Sequence, residues 1–332
     1  MQVTPFDPAT ASEHELAGWR DVLNAVVASD MPGEPEWHSD RLRDYLAVTM
    51  PQEQRVAFVA RDGGGDMAGH ANLLLFSGDF SGTGIFEIFV HPTQRGSGVG
   101  RDLLKQVAQR AAAEGRETIG VEVIATTPAV GFYEHYGFVP SVIENRHLLN
   151  MRDMDWERVR DGSRRIAAGY RLEYYSGGLP ESMLERYAST KVHLRVNGET
   201  SWRGSADARR LRDSLDTLAN RGLRTHLVVA IAEPAESVVG LTELVVAAQR
   251  PTRGDQYDTV VAPEHRSYGL GLAMKARMLC ELAENEPQLV DVQTWTASDG
   301  DPYAHVDAQL GFRNDVEWYE YEANVQQLLS RL

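Results

Sequence analysis

The chain has 332 residues, with 48 acidic against 33 basic side chains and a formal net charge of −15 when histidine is neutral. Such a surface opposes neutralisation of a phosphate backbone, which excludes a nucleic-acid partner, and it favours a cationic one. Only one cysteine is present, Cys280, so an internal disulfide and a thiolate metal cluster are ruled out and a reducing cytoplasm fits.

The length exceeds what a single core ordinarily serves, and two domains are expected. No basic stretch followed by an apolar run opens the chain, and no stretch is long and apolar enough to span a bilayer, so neither a leader nor a membrane partner is expected. Leu16, Trp19, Leu23 and Val26 recur at helical spacing near the start. Two strand-like runs broken by a Gly-Asp loop follow in RVAFVARDGGGDMAGHANLLLF. The alternating strand IFEIFV (Ile85 to Val90) then leads into HPTQRGSGVGRDLL and a helix. A β-rich run, TIGVEVIATT, precedes a short helix that ends in Gly137-Phe138 and a last strand.

The order then repeats. FVHPTQRGSGVGRDLLKQVAQRA from Phe89 aligns without a gap on VVAPEHRSYGLGLAMKARMLCEL from Val260 at a constant offset of 171. Gly137-Phe138 is answered by Gly311-Phe312, 174 positions on. One domain type used twice is the economical reading, with domains at 1–150 and 171–332. The charged stretch 151–170, poor in strand signal, is expected to link them.

A loop between strand and helix leaves the first helical N–H groups without partners, and glycines let that backbone approach an anion closely. The dinucleotide fingerprint is excluded because Gly96, Gly98 and Gly100 run on into Arg101, and neither copy ends its loop in the Gly-Lys-Ser/Thr of a P-loop. What remains is R-x-x-G-x-G after an apolar strand ending in x-Pro, at Arg95 to Gly100 and again at Arg266 to Gly271.

On these residues the chain resembles the GNAT superfamily of N-acetyltransferases, twice over. Both loops are similar to that family's acyl-CoA loop, and AVGFYEHYGF (Ala129 to Phe138) resembles its later signature. The resemblance implies an α/β fold with a mixed sheet, two consecutive GNAT acyl-CoA N-acyltransferase folds in a pseudo-two-fold arrangement. It also implies acetyl-CoA or another acyl-CoA as cofactor, held by Ile88, Phe89, Val90, Arg95, Gly96, Ser97, Gly98, Val99 and Gly100 in the first copy. In the second copy the corresponding residues are Val260, Val261, Arg266, Gly269 and Gly271. The tandem layout is similar to that of mycothiol synthase, which suggests a small-molecule amine acceptor.

Acyl transfer to an amine requires loss of a proton from an ammonium whose pKa is ordinarily about 10.4. Glu87 and Glu122, each interrupting an apolar strand, compete for the role of base. Tyr133 stands where many GNAT relatives place the tyrosine that protonates the leaving thiolate, and the strand before the loop is where they place the oxyanion donors. Trp37 and Tyr45, in a stretch resembling the variable helix over the acceptor, are candidates to line it. Aligning the Gly-Phe pairs sets Asp307 opposite Tyr133, and the loop offset sets Asp258 opposite Glu87 and Gln293 near Glu122. Tyr303 then reads as a packing residue. The first copy is therefore expected to be catalytic, although in mycothiol synthase the second half is the active one. The partners expected are a small-molecule amine, no nucleic acid, no membrane and no metal. The chain is expected to be a monomer with an internal pseudo-dimer, a homodimer being left open.

Overall fold

The computed structural model describes residues 2–196, 199–200, 207–297 and 303–332. The chain divides into two compact units, one made of Met1–Glu144 with Val316–Leu332 and the other of Asn145–Asp315.

The first unit opens with strand β1 (Gln2–Phe6) and helix α1 (Glu13–Asp30), started by Ser12 and Glu15 in a reciprocal capping box. Short helix α2 (Leu42–Ala47) leads to the antiparallel strands β2 (Glu53–Arg61), β3 (Met67–Phe76) and β4 (Thr83–Val90). The glycine loop and α3 (Val99–Ala113) carry the chain across to β5 (Thr118–Ile124), parallel to β4. Helix α4 (Ala129–His135) and strand β6 (Val139–Asn150) follow, the unit boundary falling within β6. One face of this sheet is covered by α3, whose Leu103, Leu104, Val107 and Ala111 join Leu73, Phe86 and Val121 in a dry core. On the other face Leu16, Trp19 and Leu23 of α1 pack with Leu42 and Leu46 of α2.

The second unit repeats the plan. The stretch 151–170, expected as a linker, instead contains α5 (Trp156–Arg164), capped by Asp155. Its Val159 is buried in that unit's core, and Gly162 faces Ala276 so closely that a Cβ there would sit 3.4 Å from the alanine methyl. Its few apolar residues escaped a pattern dominated by charge. Then come β7 (Tyr170–Ser176), α6 (Glu181–Lys191), the short hairpin β8 (Arg195–Val196) with β9 (Glu199–Thr200), and α7 (Ala208–Asn220). Strands β10 (Leu223–Ala232), β11 (Ser237–Ala247) and β12 (Arg253–Val261) lead to α8 (Leu270–Asn285), β13 (Asp291–Ala297) and α9 (Ala304–Leu310).

The last strand, β14 (Arg313–Asn324), and helix α10 (Val325–Arg331) correct the expected division at 150 and 171. From Val316 onward the chain belongs to the first unit, where β14 pairs antiparallel with β5, Trp318 opposite Ile124 through Asn324 opposite Thr118. Tyr321, Ala323, Val325 and Leu328 complete the first unit's core. The strand order there is β1-β2-β3-β4-β5-β14, and in the second unit it is β6-β13-β12-β11-β10-β7. Pairing at this distance in sequence is decided by which edge needs a partner, a tertiary matter that periodicity does not report.

Candidate active site

Strand β4 is the frame of the site. Against β3 it pairs as far as Val90, but against β5 only Thr83–Ile85 find partners, in Thr118–Gly120. Beyond that rung the β4–β5 ladder stops, and Phe86 to Val90 present the backbone of that edge to a gap. The second unit repeats the feature, with β12 pairing β13 only over Arg253–Asp255 while holding β11 as far as Val261.

The glycine loop stands at the end of this gap. Gly96 and Gly98 have φ of 76° and 92°, left-handed values that a side chain resists, and Gly98 is the N-cap of α3 with no side chain capping the helix. A Cβ built on either meets nothing within 4 Å, so space lies open where the first helical N–H groups emerge. Gly100 serves differently: a Cβ there would lie 3.4 Å from the Phe132 ring, so it seats α4 against α3. Val99 turns its side chain into the core, leaving only its backbone to the loop. Ser97 donates to Gln94 O at 2.6 Å. Arg95 is committed elsewhere, its guanidinium bidentate on Asp30 at 2.8 Å for each oxygen, so it anchors the loop to the end of α1 with its charge already matched. An anion in this cradle therefore meets backbone donors and a helix N-terminus.

Of the three expected catalytic side chains, Tyr133 lies in the core beside β4 and within electrostatic reach of Glu87. Tyr133 is 4% exposed, ringed by Phe86, Phe132 and Phe138 with centroids 5.9, 5.1 and 5.2 Å away. Burial raises its hydroxyl well above the usual tyrosine range, and the charge of Glu87 raises it further, so it remains protonated at neutral pH. Glu87 and Glu122 each lie two residues past the last β4–β5 rung, Ile85 with Gly120, and by the period of two they share a sheet face. Both are exposed; Glu122 stands opposite Glu320 on β14, while Glu87 receives a hydrogen bond of 3.4 Å from Asn72 Nδ2, its cross-strand neighbour on β3. His70, on the same face as Asn72, stacks on Trp19 at 4.2 Å, and burial drives it to about 3 against a smaller opposing effect of the Trp19 backbone. At neutral pH it is uncharged and buried, unfit to be the base. Trp37 and Tyr45 meet edge to face at 5.2 Å, Tyr45 within α2 and Trp37 ahead of it.

In the second unit the loop backbone is preserved and the chemistry is not, and the β11–β12 ladder shifts register between Thr242 and Leu244, where β3 and β4 pair without a break. Phe138 N donates to Tyr133 O, and Phe312 N to Asp307 O, so Asp307 occupies the Tyr133 position. It is buried and ion-paired with Lys275. Tyr303 packs its ring where a Cβ on Gly271 would touch it at 3.0 Å, and Lys275 lies over that ring at 5.9 Å. Asp258 is 3.1 Å from Lys191 Nζ, which also donates to Glu243 at 2.7 and 2.8 Å, and Tyr187 donates to Glu243 at 2.6 Å. The loop is altered too. Ser267 carries the left-handed φ of 70° that falls to Gly96 in the first unit, and Tyr268 projects beside it against Tyr170. Arg266 donates to Val261 O at 3.2 Å and has no carboxylate partner among the described residues. Val260 and Val261 point to opposite faces of β12, each into a separate apolar cluster. Asn72, Glu243 and the two lysines were not singled out from the sequence. The signal available was a polar residue inside the apolar strands β3 and β11 at the same offset as the loops, Asn72 with Glu243.

Residues 53–140 match the family model described as an acetyltransferase (GNAT) domain. Among solved structures the chain is similar to a tandem GNAT protein from the clavulanic acid biosynthesis pathway, at 24% identity over 98% of both chains with a TM-score of 0.84. It is also similar to a GCN5-related N-acetyltransferase from Sphaerobacter thermophilus, at 14% identity over 98% of this chain and 95% of the other, TM-score 0.67. A third similarity is to a GCN5-related glucosamine N-acetyltransferase region of a fungal multi-domain β-N-acetylglucosaminidase, at 13% identity over 97% of this chain and 38% of that one, TM-score 0.68. None of the curated proteins compared matches the sequence significantly. Among the described residues no helix is long and apolar enough to cross a membrane, and no cluster of His, Cys, Asp and Glu is grouped to hold a metal. Residues 53–140 thus match a GNAT acetyltransferase domain, and over its length the chain has the fold of a tandem GNAT protein.

Proposed function

We propose that the protein is an acetyl-CoA-dependent N-acetyltransferase acting on the primary amine of a small molecule, with its chemistry in the first unit. The observation that carries this reading is a buried, protonated Tyr133 within electrostatic reach of Glu87, neither of them matched by a lysine among the described residues, set against two lysine-neutralised aspartates at the same positions of the second unit. The open space beside Gly96 and Gly98 fits a pyrophosphate, and the unpaired edge of β4 fits a pantetheine arm that needs backbone partners. Bound there, acetyl-CoA supplies a carbonyl for the amine to attack and a thiolate to leave. Glu87 takes a proton from the incoming ammonium, directly or through water, so that nitrogen has a free lone pair. Backbone N–H groups of Phe86 to Val90 are placed to stabilise the negative charge that grows on the carbonyl oxygen. Tyr133 gives its proton to the sulfur as the C–S bond breaks; its raised hydroxyl is always available as a donor. A small-molecule acceptor is in keeping with the similarity to a tandem GNAT protein from the clavulanic acid biosynthesis pathway.

The test is thiol release from acetyl-CoA across a panel of small amines, with Glu87→Gln and Glu122→Gln compared over pH. Loss of the acidic limb in Glu87→Gln alone is expected. Loss in Glu122→Gln alone would transfer the role of base to β5, and no thiol release with any amine would refute the enzymatic reading.

A further inference from the structure

The two units offer an internal comparison of what the acceptor side of the site is built to hold. Helices α1 and α6 begin at Glu13 and Glu181, after their caps Ser12 and Pro180, and show the same spacing: buried Leu16, Trp19 and Leu23 in one, buried Leu184 and Tyr187 with half-buried Lys191 in the other. Lys191 thus stands where Leu23 stands in the first unit. Its ammonium lies between two side chains, Glu243 at the position of Asn72 and Asp258 at the position of Glu87. Burial raises the carboxyl of Glu243, moving it toward the neutrality that the Asn72 amide has permanently.

In the first unit the same two positions lack their cation. Among the described residues no ammonium or guanidinium pairs with Glu87, and Leu23 offers none. Asn72 is 4% exposed, and its Nδ2 is directed to Glu87 by the requirement that a carboxylate face a donor. Its Oδ1 is left buried with no hydrogen-bond partner. A buried amide oxygen without a donor is costly in a closed site, so its partner is to be sought in a ligand. Two acceptors, one anionic and one neutral, call for a cation with at least two N–H groups.

We propose that Asn72 determines acceptor specificity: its Oδ1 and the Glu87 carboxylate together hold the primary ammonium of the substrate, as Glu243 and Asp258 hold that of Lys191 in the second unit. This rests on the reading of the first unit as an amine acetyltransferase. Glu87 removes one proton from the ammonium, and Asn72 keeps a second N–H engaged, which turns the lone pair away from both acceptors. An N,N-dimethylated amine has a single N–H and cannot meet both acceptors, and an alcohol lacks both the charge and the second donor.

The experiment uses the full chain with acetyl-CoA and five primary amines, putrescine, spermidine, ethanolamine, glucosamine and phenethylamine, each beside its N,N-dimethyl counterpart as a competing inhibitor. Thiol release is followed for wild type, Asn72→Leu and the isosteric Asn72→Asp, and acetyl-CoA binding is measured by calorimetry on each. Wild type should prefer the primary amine. Asn72→Leu should raise its KM by about tenfold and reduce the preference for the primary amine over its dimethyl inhibitor by a similar factor, with acetyl-CoA affinity unchanged. Asn72→Asp, which keeps the shape and acceptor atoms but loses the donor to Glu87, should lower kcat while retaining more of the preference. If wild type acetylates primary amines and both variants keep the preference within about twofold, Asn72 has no such role, while the acetyltransferase reading stands. If wild type binds acetyl-CoA but releases no thiol with any panel amine, both readings are overturned together.

Discussion

The first unit leaves a carboxylate, a buried amide oxygen and a buried tyrosine without a lysine among the described residues, whereas the second closes the same three positions with its own lysines. Glu87, Asn72 and Tyr133 correspond to Asp258, Glu243 and Asp307, and Lys191 and Lys275 neutralise what would otherwise be buried charge. The backbone around the loop did not change with the chemistry, although β11 and β12 shift register at Glu243: both units stop the ladder beside the loop strand after three rungs and start the following helix from a left-handed glycine. A fold can therefore keep its cofactor-shaped loop after its reactive groups have become structural, and the loop motif by itself does not say where the reaction takes place.

The strongest way to break the comparison is to separate the units. A fragment of residues 1–150 lacks β14 and α10, hence the partner of β5 and the core side chains Tyr321, Val325 and Leu328. Each buried apolar side chain of that size is worth about 1.5–3 kcal/mol, and their joint loss rivals the roughly 5–15 kcal/mol that holds a domain together. The fragment is expected to be insoluble or unfolded by circular dichroism, and to recover structure if residues 316–332 are appended through a linker. A stable, monodisperse fragment 1–150 would contradict the assignment of the C-terminal segment to the first unit.

A smaller effect is expected in the second unit. Burial works against the charge of Lys191, yet Glu243 and Asp258 hold its ammonium above the usual lysine range. Lys191→Leu should cost about 3–5 kcal/mol in urea unfolding because it strands buried carboxylates, and Leu at that position with Glu243→Gln added should recover part of the loss. Unchanged stability in the single variant would mean that the cluster is not closed by this pair.

Smaller again is a pH effect confined to the first unit. His70 is driven to about 3 by burial, so the unfolded chain binds its proton first as pH falls. Its contribution to stability is complete above about pH 6.5 and declines below it, by about 1.4 kcal/mol per pH unit, until the folded value is reached. His70→Phe, which preserves the ring against Trp19, should flatten the urea midpoint between about pH 6 and 4 relative to wild type. A slope identical to wild type would show that His70 is not held neutral.

Much of this was legible in the sequence because it depended on local spacing. The glycine loops, the strand before each and the Gly-Phe ends of α4 and α9 were placed correctly, since a strand-to-helix turn writes its own conformational needs into adjacent residues. The alignment of Asp307 on Tyr133 likewise followed from a local anchor. What could not be read was decided at long range. Val316–Leu332 follows the repeat in sequence but closes the other unit's sheet, and nothing in its pattern of apolar residues says which edge it joins. Helix α5 is highly charged, and its burial rests on Val159 and a glycine contact. Lys191 and Asn72 lie on elements far from the loop in sequence, so their importance appears only once the strands and helices are side by side. Arg95 was read as a cofactor ligand because the motif contains it; Asp30, 65 residues earlier, takes its charge.

The central claim is that the first unit does the chemistry, and the most direct test is to measure thiol release by wild type, Tyr133→Phe and Tyr303→Phe side by side with the best amine acceptor. Each substitution keeps the ring and removes one hydroxyl, at the two places where a tyrosine lies beside a glycine-loop helix. Tyr133→Phe should lose about ten- to ten-thousand-fold in kcat with acetyl-CoA affinity unchanged, while Tyr303→Phe stays close to wild type. Full activity in Tyr133→Phe with loss in Tyr303→Phe would place the reaction in the second unit and contradict the account.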